Sequence, residues 1–71
     1  MISPGQLRRW RNDIPLLPHE RACGGNIFLV VEKQRHDSGA IAVRYLEEGE
    51  MFADFASWTE KWSDEVSDGD R

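Results

Sequence analysis

The most basic run of this chain surrounds a tryptophan near its start. Arg8, Arg9 and Arg11 flank Trp10, and guanidinium groups beside an indole can hold phosphates while the ring stacks on a base. These four residues therefore form a candidate nucleic-acid-binding patch. In a strand, however, Arg8 and Trp10 share one face and Arg9 and Arg11 share the other. We favour pairing of the arginines with acids of the same chain, the candidates being Glu47, Glu48, Glu50 and Asp54.

Charge is distributed unevenly along the 71 residues. Residues 1–36 carry six basic and three acidic residues, or +3, whereas residues 37–71 carry three basic and ten acidic residues, or −7. The net charge of −4 argues against a protein that coats DNA. The carboxylates also suggest an alternative function, that of an acidic inhibitor of an enzyme with a basic surface.

Nucleophilic and metal-ligating residues are few. His19 and Cys23 lie near each other in one loop, His36 is distant in sequence, and no third residue is positioned to complete a catalytic or tetrahedral metal set. The adjacent Gly24-Gly25 pair lacks the Lys-Ser/Thr of a phosphate-binding loop. We predict no catalytic residues, no metal site and no cofactor.

One segment has the spacing of a polyproline ligand. Pro15-Leu16-Leu17-Pro18 matches P-x-x-P, a shape that aromatic grooves bind. A stiffened loop whose two leucines cover the edge of the core explains the same residues more simply. The surrounding segment, Asn12 to Gly25, is long for a loop without periodicity, and its part from Ile14 to Gly25 is a candidate contact element.

These residues must be positioned by a small sheet. A Ser3-Pro4-Gly5 turn precedes a first strand over Gln6 to Arg11, with a short helix as the competing interpretation. Ile27 to Val31 is apolar on both faces and predicts a central strand. Alternating patterns then predict strands over Ala40 to Leu46 and Met51 to Phe55, which makes three consecutive antiparallel strands.

The segment after these strands has a helical pattern. Ser57 and Glu60 have capping-box spacing, and Trp58, Trp62 and Val66 form one helical stripe. We predict a short helix over Trp58 to Glu65. The alternative is a 3₁₀ turn followed by a last strand near Glu65 to Ser67.

This order of elements resembles the small SH3-like barrels of short bacterial and phage proteins. In that family a Trp-containing turn leads into the last strand, as the W-x₃-W-S-x-E-V segment from Trp58 to Val66 would do here. The resemblance implies an all-β fold of four or five antiparallel strands with a short helical turn near the C-terminus. It implies peptide binding, nucleic-acid binding or a structural role, without choosing among them.

Size and composition favour a non-catalytic module. A chain of 71 residues forms one domain at most, here residues 1–66, with an acidic, disordered tail over residues 67–71. One cysteine allows no intrachain disulfide, so aromatic burial or a homodimer must supply stability. We predict a protein-interaction module or accessory subunit, monomeric or homodimeric, with an unidentified protein partner. Its candidate contact residues, few of them exposed, are Trp10, Leu16, Leu17, Tyr45, Trp58 and Trp62.

No export signal or membrane-spanning run is recognisable in the sequence. A single cysteine fits a reducing compartment. We therefore expect a cytoplasmic protein that does not bind membranes.

Overall fold

The computed structural model describes residues 2–15 and 24–66. Leu16, Leu17, His19, Cys23 and the predicted tail lie outside the described residues. Within them, the elements are β1 (Leu7–Trp10), β2 (Ile27–Arg35), β3 (Ile41–Glu47), β4 (Glu50–Phe55), α1 (Ala56–Lys61) and β5 (Ser63–Glu65).

The five strands form one antiparallel sheet in the order β4-β3-β2-β1-β5. This confirms the prediction of an all-β protein with up to five antiparallel strands and a short helix near the C-terminus. In the described part of the chain β4 and β5 remain the two edges, so the sheet is not closed into a barrel.

Turn chemistry sets the register of the β3–β4 hairpin. Glu48 and Gly49 both have positive φ, 52° and 81°, which is the backbone of a two-residue type I′ turn. Glu47 therefore pairs with Glu50, and the ladder continues from that pair to Ala42 and Phe55.

The helix begins earlier than its sequence pattern predicts. Phe55 is the N-cap, and no side chain caps the helix, so the predicted capping box of Ser57 and Glu60 does not form. Strand β4 runs directly into α1, and the Thr59 hydroxyl donates to the Phe55 carbonyl instead, at 2.9 Å. The two interpretations of this segment are each partly right, because a short helix is followed by a strand, at Ser63–Glu65.

An aromatic cluster forms the centre of the core. The Trp10 ring lies 4.4 Å from Phe28 and 5.5 Å from both Tyr45 and Trp58, measured between ring centroids. Phe52 extends the cluster by stacking on Tyr45. The aliphatic members of the core are Ile2, Ile14, Val30, Val43 and Ala56.

A buried arginine attaches the last strand to the first. Arg8 donates from Nε to the Ser63 hydroxyl at 2.7 Å and from a terminal nitrogen to the Ser63 carbonyl at 2.8 Å. Further acceptors are the Gln6 amide oxygen and the Glu60 carbonyl. A buried guanidinium must find acceptors for its donors, and here Ser63, the first residue of β5, and Glu60 of α1 supply most of them.

The described residues contain no helix that is long and apolar enough to cross a membrane.

Arg8 and Arg9 provide a matched test of this arrangement, because one is buried and the other exposed on the same strand. Arg8→Met leaves the Ser63 acceptors without their donor, and we expect a loss of about 1–3 kcal/mol in the free energy of unfolding. Arg9→Met should change it by less than about 0.5 kcal/mol. Urea unfolding of both variants measures this; equal losses would contradict the assignment of the inward face.

Candidate interaction surface

The predicted contact aromatics divide between the core and its margin. Trp10 and Tyr45 are 1% and 2% exposed, so their rings belong to the core and offer a partner almost no area. Trp58 and Trp62 are half-buried and pack against the core from outside. The first pair therefore builds the sheet, and only the second pair retains exposed ring area.

Trp10 has a polar contact that the sequence does not reveal. Its Nε1–H donates to Glu47 Oε1 at 2.9 Å, and the Asn26 amide donates to Glu47 Oε2 at 2.9 Å. Glu47 is 3% exposed, so this carboxylate lies within the structure rather than on an acidic surface. A buried carboxylate with donors on both oxygens links β1 and the residue before β2 to the end of β3.

The basic run near the N-terminus does not form one surface. Arg8 and Trp10 point into the protein, whereas Arg9 and Arg11 are exposed, as strand alternation predicts. Arg11 makes a two-bond contact with Asp13, at 3.0 and 2.9 Å. This acid belongs to the same chain, as expected, although it is not one of the four candidates named from the sequence.

The contact between Arg11 and Asp13 shifts the pKa values of both groups. The hydrogen bonds of Arg11 to Asp13 lower the pKa of that carboxyl below its ordinary value, and the same hydrogen bonds raise the pKa of Arg11. The guanidinium also lies 5.9 Å from the Trp62 ring centroid, and the Lys61 ammonium lies 5.3 Å from it. The exposed area of Trp62 is thus bordered by two cations that already contact it.

A metal-binding cluster is not found in the described ranges. No group of three His, Cys, Asp or Glu side chains within residues 2–15 and 24–66 could hold a metal ion. His36 is exposed and lies 6.4 Å from the Phe55 ring. The predictions about His19 and Cys23 concern residues that the structure does not describe.

The outer face of the sheet carries a continuous line of apolar side chains. Cross-strand partners are Leu7 with Leu29, Leu29 with Leu46, and Leu46 with Met51. Directly paired residues share a face, and each of the four adjoins a residue that points into the core. We call Leu7, Leu29, Leu46 and Met51 the apolar row.

Half of the apolar row is exposed to solvent, because Leu7 and Leu29 are half-buried and the other two residues are exposed. Leu46 and Met51 are 37% and 45% exposed, and Ile27 beside the row is 45% exposed. Val31 is also exposed, at the irregularity where the pairing of β2 with β3 shifts. Antiparallel sheets commonly present polar residues on their solvent face, so a line of leucine and methionine across four strands departs from that pattern.

Charged pairs border the apolar row on both sides. Glu32 and Arg44 are cross-strand partners joined by a 3.4 Å ion pair. On the other side Arg9 pairs in register with Asp64 of β5 and with Ile27 of β2. An apolar centre with a charged border is the usual composition of a protein-binding surface.

Comparison of the chain with protein-family models, curated proteins and solved structures finds no match.

The Arg11–Asp13 contact predicts a specific titration. Because the folded pKa of Asp13 is depressed, the contribution of this pair to stability is present above the unfolded pKa of about 4 and is lost as pH falls through the folded pKa. NMR titration should give Asp13 a lower pKa than that of a freely solvated aspartate. In Arg11→Gln the value should rise toward the ordinary one, and an unchanged value would refute the contact.

Proposed function

We propose that this chain is a non-catalytic protein-binding module and that the apolar row is its contact surface. The observation that carries the proposal is the register of four strands, which aligns Leu7, Leu29, Leu46 and Met51 on the solvent face. Exposed apolar patches with a polar border mark binding sites in soluble proteins. A chain of 71 residues needs most of its apolar side chains for its core. Apolar side chains that stay on the surface therefore indicate a role in binding.

We also propose that the fold is an SH3-like variant. Support comes from the Trp-containing helical turn between β4 and β5 and from the return of β5 to pair with β1. Modules of this kind serve as platforms for binding, which accords with the proposed function but does not identify a partner.

Nucleic-acid binding is a weaker proposal for the same chain. The four-residue patch would have to present Arg8 and Trp10, and both are buried. Arg11 is engaged by Asp13. An acidic inhibitor is weaker for a similar reason, since Glu47 is buried and the exposed acids of that turn are only Glu48 and Glu50.

A photo-reactive amino acid at Leu46 tests the proposed surface in extracts of the source cells. We expect ultraviolet light to join it to protein, and adduct formation should fall sharply when Met51→Lys places a charge in the row. Ser57, exposed on α1, whose Trp58 packs against the core on the opposite side of the sheet, is the control position and should give few adducts. Equal adduct yields at both positions, or adducts that nuclease removes, would overturn the proposal.

A further inference from the structure

We propose that the apolar row binds a second copy of this chain, face to face across a two-fold axis. The inference rests on the proposed function, because it names the partner of the same surface. The axis lies between the two sheets, runs parallel to the strands and passes between β2 and β3. Two sheets packed in this way lie about 10 Å apart with nearly aligned strands.

The apolar row is self-complementary under that axis. The two-fold exchanges β2 with β3 and β1 with β4, so Leu29 meets the partner's Leu46 and Leu7 meets the partner's Met51. The strand order and the cross-strand pairs fix these matches without further adjustment. In an isologous interface each contact occurs twice, and all four members of the row are used.

The charged border is complementary under the same axis. Glu32 and Arg44 occupy equivalent positions on β2 and β3, so Glu32 meets the partner's Arg44, and Arg44 meets the partner's Glu32. Arg9 on β1 comes near the acidic turn of the partner's β3–β4 hairpin. A face whose apolar row and Glu32–Arg44 pair both match their own two-fold image favours a second copy over an unrelated protein.

The edge of β4 is a poorer place for a second copy to bind. Open edge strands pair through free backbone groups, but at the end of β4 these groups are already used. The Phe55 N–H donates to its neighbour Asp54 Oδ1 at 2.8 Å, and the Phe55 carbonyl accepts from Thr59. Pairing along this edge would have to break or bypass both contacts.

The size of the face predicts a weak dimer. Four strands of each copy overlap under this axis, and at about 4.8 Å apart and about six residues long they cover roughly 400 Å², so the two copies would bury roughly 800 Å² in total. Tight complexes bury about 1,600 Å². We therefore expect a dissociation constant in the micromolar range or weaker, and measurements should extend to millimolar protein.

Complementary charge reversals test the dimer by sedimentation equilibrium. In Glu32→Arg, positions 32 and 44 are both cationic, so like charges face each other across the interface. In Arg44→Glu both positions are anionic, with the same consequence. Each variant alone should therefore dimerise about tenfold more weakly than the wild type. An equimolar mixture places opposite charges across the interface and should recover an affinity close to that of the wild type.

The mixture distinguishes a loss of contacts between copies from a loss of contacts within one copy. Both variants lose the internal Glu32–Arg44 ion pair, so a purely internal effect would leave the mixture as weak as its components, and that result would overturn the proposal. Leu46→Lys should abolish dimerisation while urea unfolding shows the protein still folded. A wild type that stays monomeric at millimolar concentration would also overturn it.

Spin labels at Ser38→Cys in a Cys23→Ser background distinguish face packing from edge pairing. Ser38 lies in the exposed turn between β2 and β3, beside the proposed axis, so the two labels should lie about 15–25 Å apart. Antiparallel pairing of β4 edges would place them beyond about 30 Å, and that result would overturn the face-to-face dimer.

The proposed function does not require the dimer. If the wild type is monomeric but the photo-reactive residue at Leu46 still captures a different protein, the second copy is wrong and the contact surface stands. If neither capture nor dimerisation occurs, both proposals fail.

Discussion

The indole of Trp10 determines which side of the first strand faces inward. Its ring contacts Phe28, Tyr45 and Trp58, and its N–H reaches the buried carboxylate of Glu47. A shift of one residue in the register of β1 would turn this side chain to solvent and leave Glu47 without that donor. The ring packing of Trp10 and its hydrogen bond to Glu47 therefore both favour the same register of β1.

The outer surface follows from that constraint. When Trp10 faces inward, Arg8 faces inward as well and holds Ser63, so β5 becomes the neighbour of β1. Leu7 and Arg9 must then face outward, where Leu7 joins the apolar row and Arg9 joins its charged border. The surface proposed for binding is thus the reverse side of the packing that stabilises the sheet.

Much of the sheet is predictable from local sequence. Alternation in β1 correctly separates Arg8 and Trp10 from Arg9 and Arg11, and the alternating patterns of Ala40 to Leu46 and Met51 to Phe55 correctly place β3 and β4. The start of α1 is not predictable in this way. The Ser57 capping pattern assumes a loop before the helix, whereas β4 continues directly into it.

The candidate site depends on contacts that are distant in sequence. Glu47 precedes a turn, where carboxylates are normally solvated, and its donor Trp10 is 37 residues away, so no local signal predicts its burial. The charge of Arg8 suggests an acidic partner. Its acceptors are instead the hydroxyl and carbonyl of Ser63 and the carbonyl of Glu60, more than 50 residues away in the sequence. The apolar row takes one residue from each of four strands, and only their combined register aligns them.

The most direct test of a second copy bound to the outer face is the protection of that face from solvent as protein concentration rises. A soluble paramagnetic probe broadens the NMR signals of exposed methyl groups in proportion to their accessibility. The account predicts strong broadening of the Leu46 and Met51 methyls in dilute protein and progressive protection toward millimolar concentration, with the buried Val43 methyls unaffected throughout. Broadening of Leu46 and Met51 that does not change with concentration would contradict the face-to-face dimer.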